Sequence, residues 1–146
     1  MTELTRATAE DIDNMAVVKS FLTALQDADF DAIDTALHDD LVYENVGLSR
    51  IRGGQRTAKL LRKMDGRIGF EVKIHRIATD GSTVLTERTD ALLIGPLRLQ
   101  FWACGTFEVR DGRIVLWRDY VDVFDMFKAT LRGLVALAIP SLKTSL

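Results

Sequence analysis

Apolar residues recur at helical spacing in the first part of the chain. The hydroxyl of Thr8 can cap a helix there while Asp11 reaches back from the third position, and the apolar positions of this predicted helix are Ile12, Met15, Val18, Leu22 and Leu25. Asp27-Ala28-Asp29 is predicted to end it. Residues 1–8 are predicted to form a loose tail before it.

Shorter elements follow this helix. A second, short helix is predicted to carry Ile33 and Leu37. The acidic pair Asp39-Asp40 then separates it from an extended piece over Leu41–Val46. The segment Gly54–Met64 has the apolar spacing of a third helix.

From residue 68 onward the pattern alternates between apolar and polar residues, which is typical of strands. Turn signals at Thr79-Asp80-Gly81-Ser82, Gly95-Pro96 and Asp111-Gly112 divide this region into four strands. The segment Phe124–Ile139 has a broad apolar face and is predicted to be a closing helix that ends at a proline.

This order of elements predicts an α+β fold in one domain spanning residues 1–146. We expect a strongly curved, mixed but mostly antiparallel β-sheet with helices packed on its concave side. Such a sheet encloses a cone-shaped apolar pocket, which is where small ligands usually bind.

Composition narrows the possible partners. The chain has a net charge of −2 and dispersed basic residues, which predicts no nucleic-acid partner. The local basic cluster between Arg50 and Arg67 is interpreted as a solvated helix face. The longest apolar stretch, Leu134–Ile139, is too short to span a bilayer, so no stable membrane insertion is expected.

The cysteine and histidine content predicts a cytoplasmic protein without cofactors. Cys104 is the only cysteine, which excludes an intrachain disulfide and fits a reducing compartment. The polar N-terminus predicts no secretory signal. His38 and His75 are isolated, so no metal site is predicted. No glycine-rich phosphate loop is present, and no organic cofactor is expected.

Two charged stretches interrupt the apolar strands, Glu87-Arg88-Thr89-Asp90 and Trp117-Arg118-Asp119-Tyr120. Because alternate residues of a strand share a face, charged side chains in both stretches share a face with apolar ones. Burying a charge costs several kcal/mol or more unless it is paired. With two polar residues of the extended piece, the candidate site residues are Tyr43, Asn45, Arg88, Asp90 and Asp119.

Each of these residues also has a simpler interpretation. The two aspartates can face solvent at strand ends, and Arg88 can pair with a glutamate at the surface. Cys104 alternates onto the polar face and has no nearby histidine, which disfavours a nucleophilic role. The tryptophans Trp102 and Trp117 are interpreted as packing residues rather than as a binding cage.

The site residues resemble those of the limonene-1,2-epoxide hydrolase family. The matching pattern is Tyr43-x-Asn45, then Arg88-x-Asp90, then Arg118-Asp119-Tyr120, and the resemblance extends from Asp27 to Asp122. That family has the fold of nuclear transport factor 2 and ketosteroid isomerase. The resemblance implies hydrolysis of an epoxide in one step, without a covalent intermediate or a cofactor.

The resemblance also implies a role for each residue. Asp119 is the general base that takes a proton from water, and Tyr43 and Asn45 hold that water. Asp90 is the acid that protonates the ring oxygen, and Arg88 lies between the two carboxyl groups and orients both. Opening an epoxide needs one ionised and one protonated carboxyl group, and two carboxyls in a dry pocket push their pKa values apart.

Apolar residues are predicted to form the wall of the pocket and to suit a small lipophilic epoxide of terpene, fatty-acid or sterol type. The predicted wall residues are Leu93, Phe101, Trp102, Leu131, Leu134 and Val135. By analogy with proteins of this shape, a homodimer is expected. Two other functions stay open from the residues alone: another enzyme of the same fold, such as an isomerase or a polyketide-type cyclase, and a non-catalytic lipid- or partner-binding domain.

Overall fold

A computed structural model describes residues 8–146. The predicted tail lies outside these residues except for Thr8, which caps helix α1 (Ala9–Asp27). The Thr8 hydroxyl accepts a hydrogen bond from the Asp11 amide at 3.1 Å, and the Asp11 carboxylate accepts one from the Thr8 amide at 2.8 Å. This capping box confirms the predicted start of the helix. The helix ends at Ala28, which has a left-handed conformation with φ 54°.

The described residues form three further α-helices, α2 (Phe30–Ala36), α3 (Gly54–Met64) and α4 (Val123–Ala138). The second is shorter than predicted, because Leu37 belongs to a strand rather than to the helix. The side chain of Leu37 is buried and its backbone pairs with Ile114 of the last strand. The guanidinium of Arg113 donates to the Leu37 carbonyl at 2.6 Å, so tertiary contacts decide its conformation.

In the part of the chain that the structure describes, six strands form one sheet in the order β2-β1-β6-β5-β4-β3. Their bounds are β1 (Leu37–Asn45), β2 (Ser49–Arg52), β3 (Gly69–Asp80), β4 (Thr83–Ile94), β5 (Leu97–Arg110) and β6 (Arg113–Val121). Among these six strands of residues 8–146, only the β1–β6 pair is parallel. The predicted α+β class with a mixed, mostly antiparallel sheet is confirmed. The short strand β2 was not predicted.

The hydrophobic core lies between one face of the sheet and helices α1 to α3. Side chains at odd positions of β5, such as Phe101 and Phe107, point to this inner face and are buried. Phe21 of α1 packs with its ring centroid 6.4 Å from that of Phe107 and 5.0 Å from that of Trp117. This packing leaves the polar stretch of β4 beside the core and positions the site described below.

Helix α4 packs against β5 through its smallest residues. A Cβ atom added to Gly133 would lie 2.6 Å from the carbonyl oxygen of Arg98, so only glycine permits this approach. Ala129 is buried in a small cluster with Phe101 and Ala103. Within residues 8–146, no helix is both long enough and apolar enough to cross a membrane.

Candidate active site

Three adjacent strands bring the charged residues together. Strand β5 lies between β4 and β6, and its residue Gly105 pairs with Thr86 on one side and with Asp119 on the other. Side chains of β4 and β6 therefore meet over Gly105 on the inner face of the sheet. The strand alternation that predicted the site thus places its carboxyl groups within reach of one guanidinium.

Arg88 is the centre of this arrangement and is only 1% exposed. Its Nε donates to Asp90 Oδ1 at 3.1 Å, and its Nη2 donates to Asp90 Oδ2 at 2.8 Å and to Asp119 Oδ1 at 3.0 Å. Its Nη1 donates to the hydroxyl of Thr86 at 3.2 Å. Burial opposes the charge, but the two carboxylates outweigh it and hold the pKa of Arg88 above its ordinary value.

Gly105 supplies the space in which these groups meet. A Cβ atom at this position would lie 2.5 Å from Arg88 Nη1 and 2.8 Å from Asp119 Oδ1. Any other residue would force the guanidinium or the carboxylate to move. Glycine is required here for close approach rather than for an unusual backbone angle.

Asp119 is held from two sides. Its Oδ1 accepts from Arg88, and its Oδ2 accepts from the indole Nε1 of Trp117 at 3.0 Å. Burial raises the pKa of Asp119 above its ordinary value, and the charge of Asp90 acts in the same direction. The charge of Arg88 and the hydrogen bonds from Arg88 and Trp117 act against this rise.

Tyr43 and Asn45 reach the site through the parallel pairing of β1 with β6. In this register Asn45 lies opposite Asp119, and Tyr43 lies opposite Trp117. The amide nitrogen of Asn45 donates to the Tyr43 hydroxyl at 2.8 Å. Burial raises the pKa of Tyr43, so its hydroxyl keeps its proton and can donate it in a second hydrogen bond.

A cavity of about 580 Å³ opens over these groups. Four of the five predicted site residues line it, namely Tyr43, Asn45, Asp90 and Asp119. Arg88 lies behind the two carboxyl groups and does not line the cavity. The predicted wall residues Leu93 and Phe101 also line it.

The structure places the other predicted wall residues elsewhere. Trp102 is 55% exposed and stacks on His75, with ring centroids 4.6 Å apart. It follows Phe101 in the strand, so the two side chains point to opposite faces and only Phe101 can line the cavity. Leu131, Leu134 and Val135 lie on exposed sides of α4, because Ala129 and Gly133 form its contact with the sheet.

Three further residues shape the site and were not predicted to belong to it, namely Thr86, Gly105 and Trp117. Thr86 and Trp117 each lie two positions before a predicted site residue in the same strand, so alternation was a sufficient signal for both. Gly105 needed knowledge of the strand register. Much of the cavity wall is formed by residues that were not predicted to line it. These include Leu25, Phe30, Met64, Ile68, Phe70 and Met126.

The structure adds two observations on alternative chemistry. Within residues 8–146, no group of three or more His, Cys, Asp or Glu side chains is arranged to hold a metal ion. Cys104 is exposed on the outer face of the sheet and does not line the cavity.

Comparison with known structures identifies the fold of the protein. A nuclear transport factor 2-like protein of unknown function from Cytophaga hutchinsonii ATCC 33406 has a TM-score of 0.64 at 18% identity, covering 85% of this chain and 98% of that one. At this identity the likeness concerns the fold alone. The protein is therefore an α+β cone of the nuclear transport factor 2-like fold with a buried carboxyl–guanidinium–carboxyl site.

Closer relatives define the family. The limonene-1,2-epoxide hydrolase catalytic domain matches residues 12–132. Epoxide hydrolase EphG of Mycobacterium tuberculosis (strain ATCC 25618 / H37Rv) is 68% identical, over 100% of this chain and 98% of the relative. The structure of an M. tuberculosis LEH-like epoxide hydrolase has a TM-score of 0.94 at 70% identity, covering 95% of this chain and 99% of that one. The chain belongs to the limonene-1,2-epoxide hydrolase family, and it is an enzyme of the epoxide hydrolase class.

Proposed function

We propose that this enzyme adds water to a lipophilic epoxide in one concerted acid–base step that yields a vicinal diol. The observation that carries this proposal is the single guanidinium of Arg88 shared by Asp90 and Asp119 at the cavity surface. Two carboxyl groups in fixed positions can deliver a proton at one point of the substrate and remove one at another.

The nucleophilic water is proposed to lie between Asp119, Asn45 and Tyr43. It donates one proton to Asp119 and the other to the amide oxygen of Asn45, and it accepts a hydrogen bond from the Tyr43 hydroxyl. Water has two protons and two lone pairs, so these three partners leave one lone pair for attack on the epoxide carbon. Fixing this lone pair removes much of the entropic barrier to reaction with a weak nucleophile.

Charge balance supports one proton shared by the two carboxyl groups. With both ionised, the buried site would carry two negative charges against the single positive charge of Arg88. One added proton makes the site neutral, which reduces the cost of burial. In the productive form the proton lies on Asp90, which passes it to the ring oxygen as the C–O bond breaks, and Asp119 is ionised.

The cavity supports a lipophilic substrate of appreciable size. Its volume of about 580 Å³ falls within the usual range for small-molecule sites. Its wall is largely apolar, including Phe30, Ile68, Phe70 and Met126. A series of epoxides from terpene to fatty-acid and sterol size, assayed for diol by mass spectrometry, tests this class of substrate. A strong preference for small polar epoxides would contradict it.

Oxygen labelling tests the one-step mechanism. In a single turnover in H₂¹⁸O with excess enzyme, we expect the label in the diol from the first cycle and no label in the side chains of Asp119 or Asp90. An unlabelled first diol, or a labelled aspartate, would show a covalent intermediate and overturn the mechanism.

We also propose that the enzyme is a homodimer that works in the cytoplasm. Exposed apolar side chains on α4 and on the outer face of the sheet support an association of two copies, namely Tyr120, Phe124, Phe127, Leu131 and Leu134. A large exposed apolar surface commonly marks an interface. Sedimentation equilibrium tests the homodimer, and a monomer at micromolar concentration would contradict it.

The cysteine content supports the proposed location in the cytoplasm. A single cysteine cannot form an intrachain disulfide, which fits a reducing compartment.

A further inference from the structure

Trp117 contacts both halves of the water-activating site. Its indole Nε1 donates to Asp119 Oδ2 at 3.0 Å, and its ring stacks on Tyr43 with centroids 4.0 Å apart and planes 28° from parallel. The side chain is 5% exposed and is packed on its other side by Phe21 and Phe107. The indole therefore has little freedom to turn away from the carboxylate.

The two carboxyl groups compete for the shared proton on unequal terms. Asp90 receives two hydrogen bonds from Arg88, whereas Asp119 receives one. From Arg88 alone, the negative charge would be better stabilised on Asp90 and the proton would lie on Asp119. That distribution is the reverse of what the proposed mechanism needs.

We infer that Trp117 is a positioning residue whose indole N–H offsets this preference by stabilising a negative charge on Asp119, so that Asp90 can hold the shared proton. This inference rests on the proposed function. An indole has a donor and no acceptor, so its N–H can stabilise an ionised oxygen directly but cannot accept a proton from a carboxylic acid. With this bond, Asp119 also receives two donors and the two carboxyl groups become balanced.

The hydrogen bond to Asp119 Oδ2 comes from Trp117, whereas the ionisable groups around Asp119 lie elsewhere. Arg88 and Asp90 face it from β4, and Tyr43 from β1. The ionisable groups Asp65 and Arg67 line the exposed part of the cavity after α3. A hydrogen bond to the charged form lowers the pKa of a carboxyl group, so loss of the indole N–H raises that of Asp119.

Replacement of each tryptophan by phenylalanine provides a matched test. Trp117→Phe keeps a stacking ring but removes the donor, and Trp102→Phe makes the same change on the outer face of the sheet. We expect Trp117→Phe to lower kcat by about 10- to 100-fold with little change in KM, and to move the acidic limb of the kcat profile upward by roughly one pH unit. Trp102→Phe should match the wild type in both respects. A Trp117→Phe enzyme with kcat within twofold of wild type and an unmoved acidic limb would overturn the inference.

A fluorescence measurement without substrate covers the case in which Trp117→Phe does not fold. The Trp102→Phe protein has Trp117 as its sole tryptophan, so its emission reports on the contact with Asp119. We expect this emission to titrate with pH in Trp102→Phe and to lose that transition in Trp102→Phe/Asp119→Asn. The same titration in both proteins would overturn the inference. This result is independent of the diol assay, which tests the proposed function itself.

Discussion

At the scale of single residues, Asp90 and Asp119 are distinguished by their donors. Asp90 is bound twice by one guanidinium, and Asp119 by a guanidinium and an indole. Because their donors differ, we expect neither carboxyl group to take over the proposed role of the other.

The first prediction is that Asp90→Asn and Asp119→Asn each remove nearly all activity. One change removes the acid and the other the base of a single step, so the double variant should be little slower than either single one. Diol formation under saturating epoxide measures this. Substantial turnover by either single variant would contradict the assigned roles.

The second prediction concerns Arg88→Lys. Lysine keeps the charge, but it is a point charge without the planar fork that binds Asp90 twice and Asp119 once. We expect kcat to fall by roughly 100-fold or more while the protein stays folded by circular dichroism. Near-normal turnover would mean that charge alone is sufficient.

The third prediction concerns the space above Gly105. Gly105→Ala places a methyl group 2.5 Å from Arg88 Nη1 and 2.8 Å from Asp119 Oδ1, so these groups must separate. We expect a stability loss of about 1–3 kcal/mol, measured by urea unfolding, together with a large loss of kcat. Cys104→Ala, at the neighbouring outward position, is the control and should change neither.

The clustering of the candidate site residues could be predicted from the sequence because it follows from strand alternation and from charged residues placed two positions apart. Arg88 and Asp90 are two positions apart, so their shared face follows from the strand alone. The contact of Trp117 with Asp119 has the same spacing, yet apolar packing is the more common fate of a strand tryptophan. The role of Gly105 could not be predicted from its local sequence, because the residues that it accommodates come from two other strands.

At the scale of elements, the strong periodic signals gave correct helices and strands. Helix α3 (Gly54–Met64) and the turns between β3 and β6 lie where the pattern predicts them. The errors occur where tertiary contacts determine the secondary structure, as at Leu37, or where a strand is too short to show apolar–polar alternation, as in β2. The orientation of α4 was also missed, because its broad apolar face gave no sign that Ala129 and Gly133 would contact the sheet.

The fourth prediction concerns the start of α4. The carboxylate of Asp122 accepts from the amides of Phe124 and Asp125 at 2.8 and 3.1 Å and so caps the helix. Asp122→Ala should destabilise the protein by about 1 kcal/mol, measured by urea unfolding, with kcat nearly unchanged. Asp122→Ser keeps a capping oxygen and should recover most of the loss. An Asp122→Ala protein as stable as wild type would show that the cap contributes little.

At the scale of the whole molecule, the cavity was predicted but most of its wall was not. A curved sheet with helices on one face encloses a space whatever its exact sequence, so the cone follows from the order of elements. The wall residues come from helices α1 to α4, from the segment after α3 and from strands β1, β3, β4, β5 and β6. Their convergence depends on helix placement, which the one-dimensional pattern does not contain.

The fifth prediction links the site to the stability of the entire fold. The pKa of Asp119 is raised by burial above its ordinary value of 3.8, so the folded protein binds its proton more tightly than the unfolded chain does. The contribution of this group to the free energy of unfolding is therefore fully present below pH 3.8 and is lost as the pH rises through the folded pKa.

Urea unfolding of wild type and Asp119→Asn across this pH range measures the effect. The difference between them cancels the titration of carboxyl groups away from the site, such as Glu71, whose pKa is lowered by Arg98. We expect the stability of wild type relative to Asp119→Asn to fall as the pH rises. A difference that stays constant, or that grows with pH, would contradict the raised pKa.

The parallel pairing of β1 with β6 determines when the site comes into existence. Strands β3 to β6 are joined in sequence by tight turns and can assemble locally, whereas β1 pairs with a strand that lies about half the chain further along the sequence. During synthesis, a chain that has not reached Asp119 holds Tyr43 and Asn45 without the strand on which they align. We therefore expect catalysis only from chains in which the last strand has been made, because the proposed base and the residues proposed to hold the water align only then.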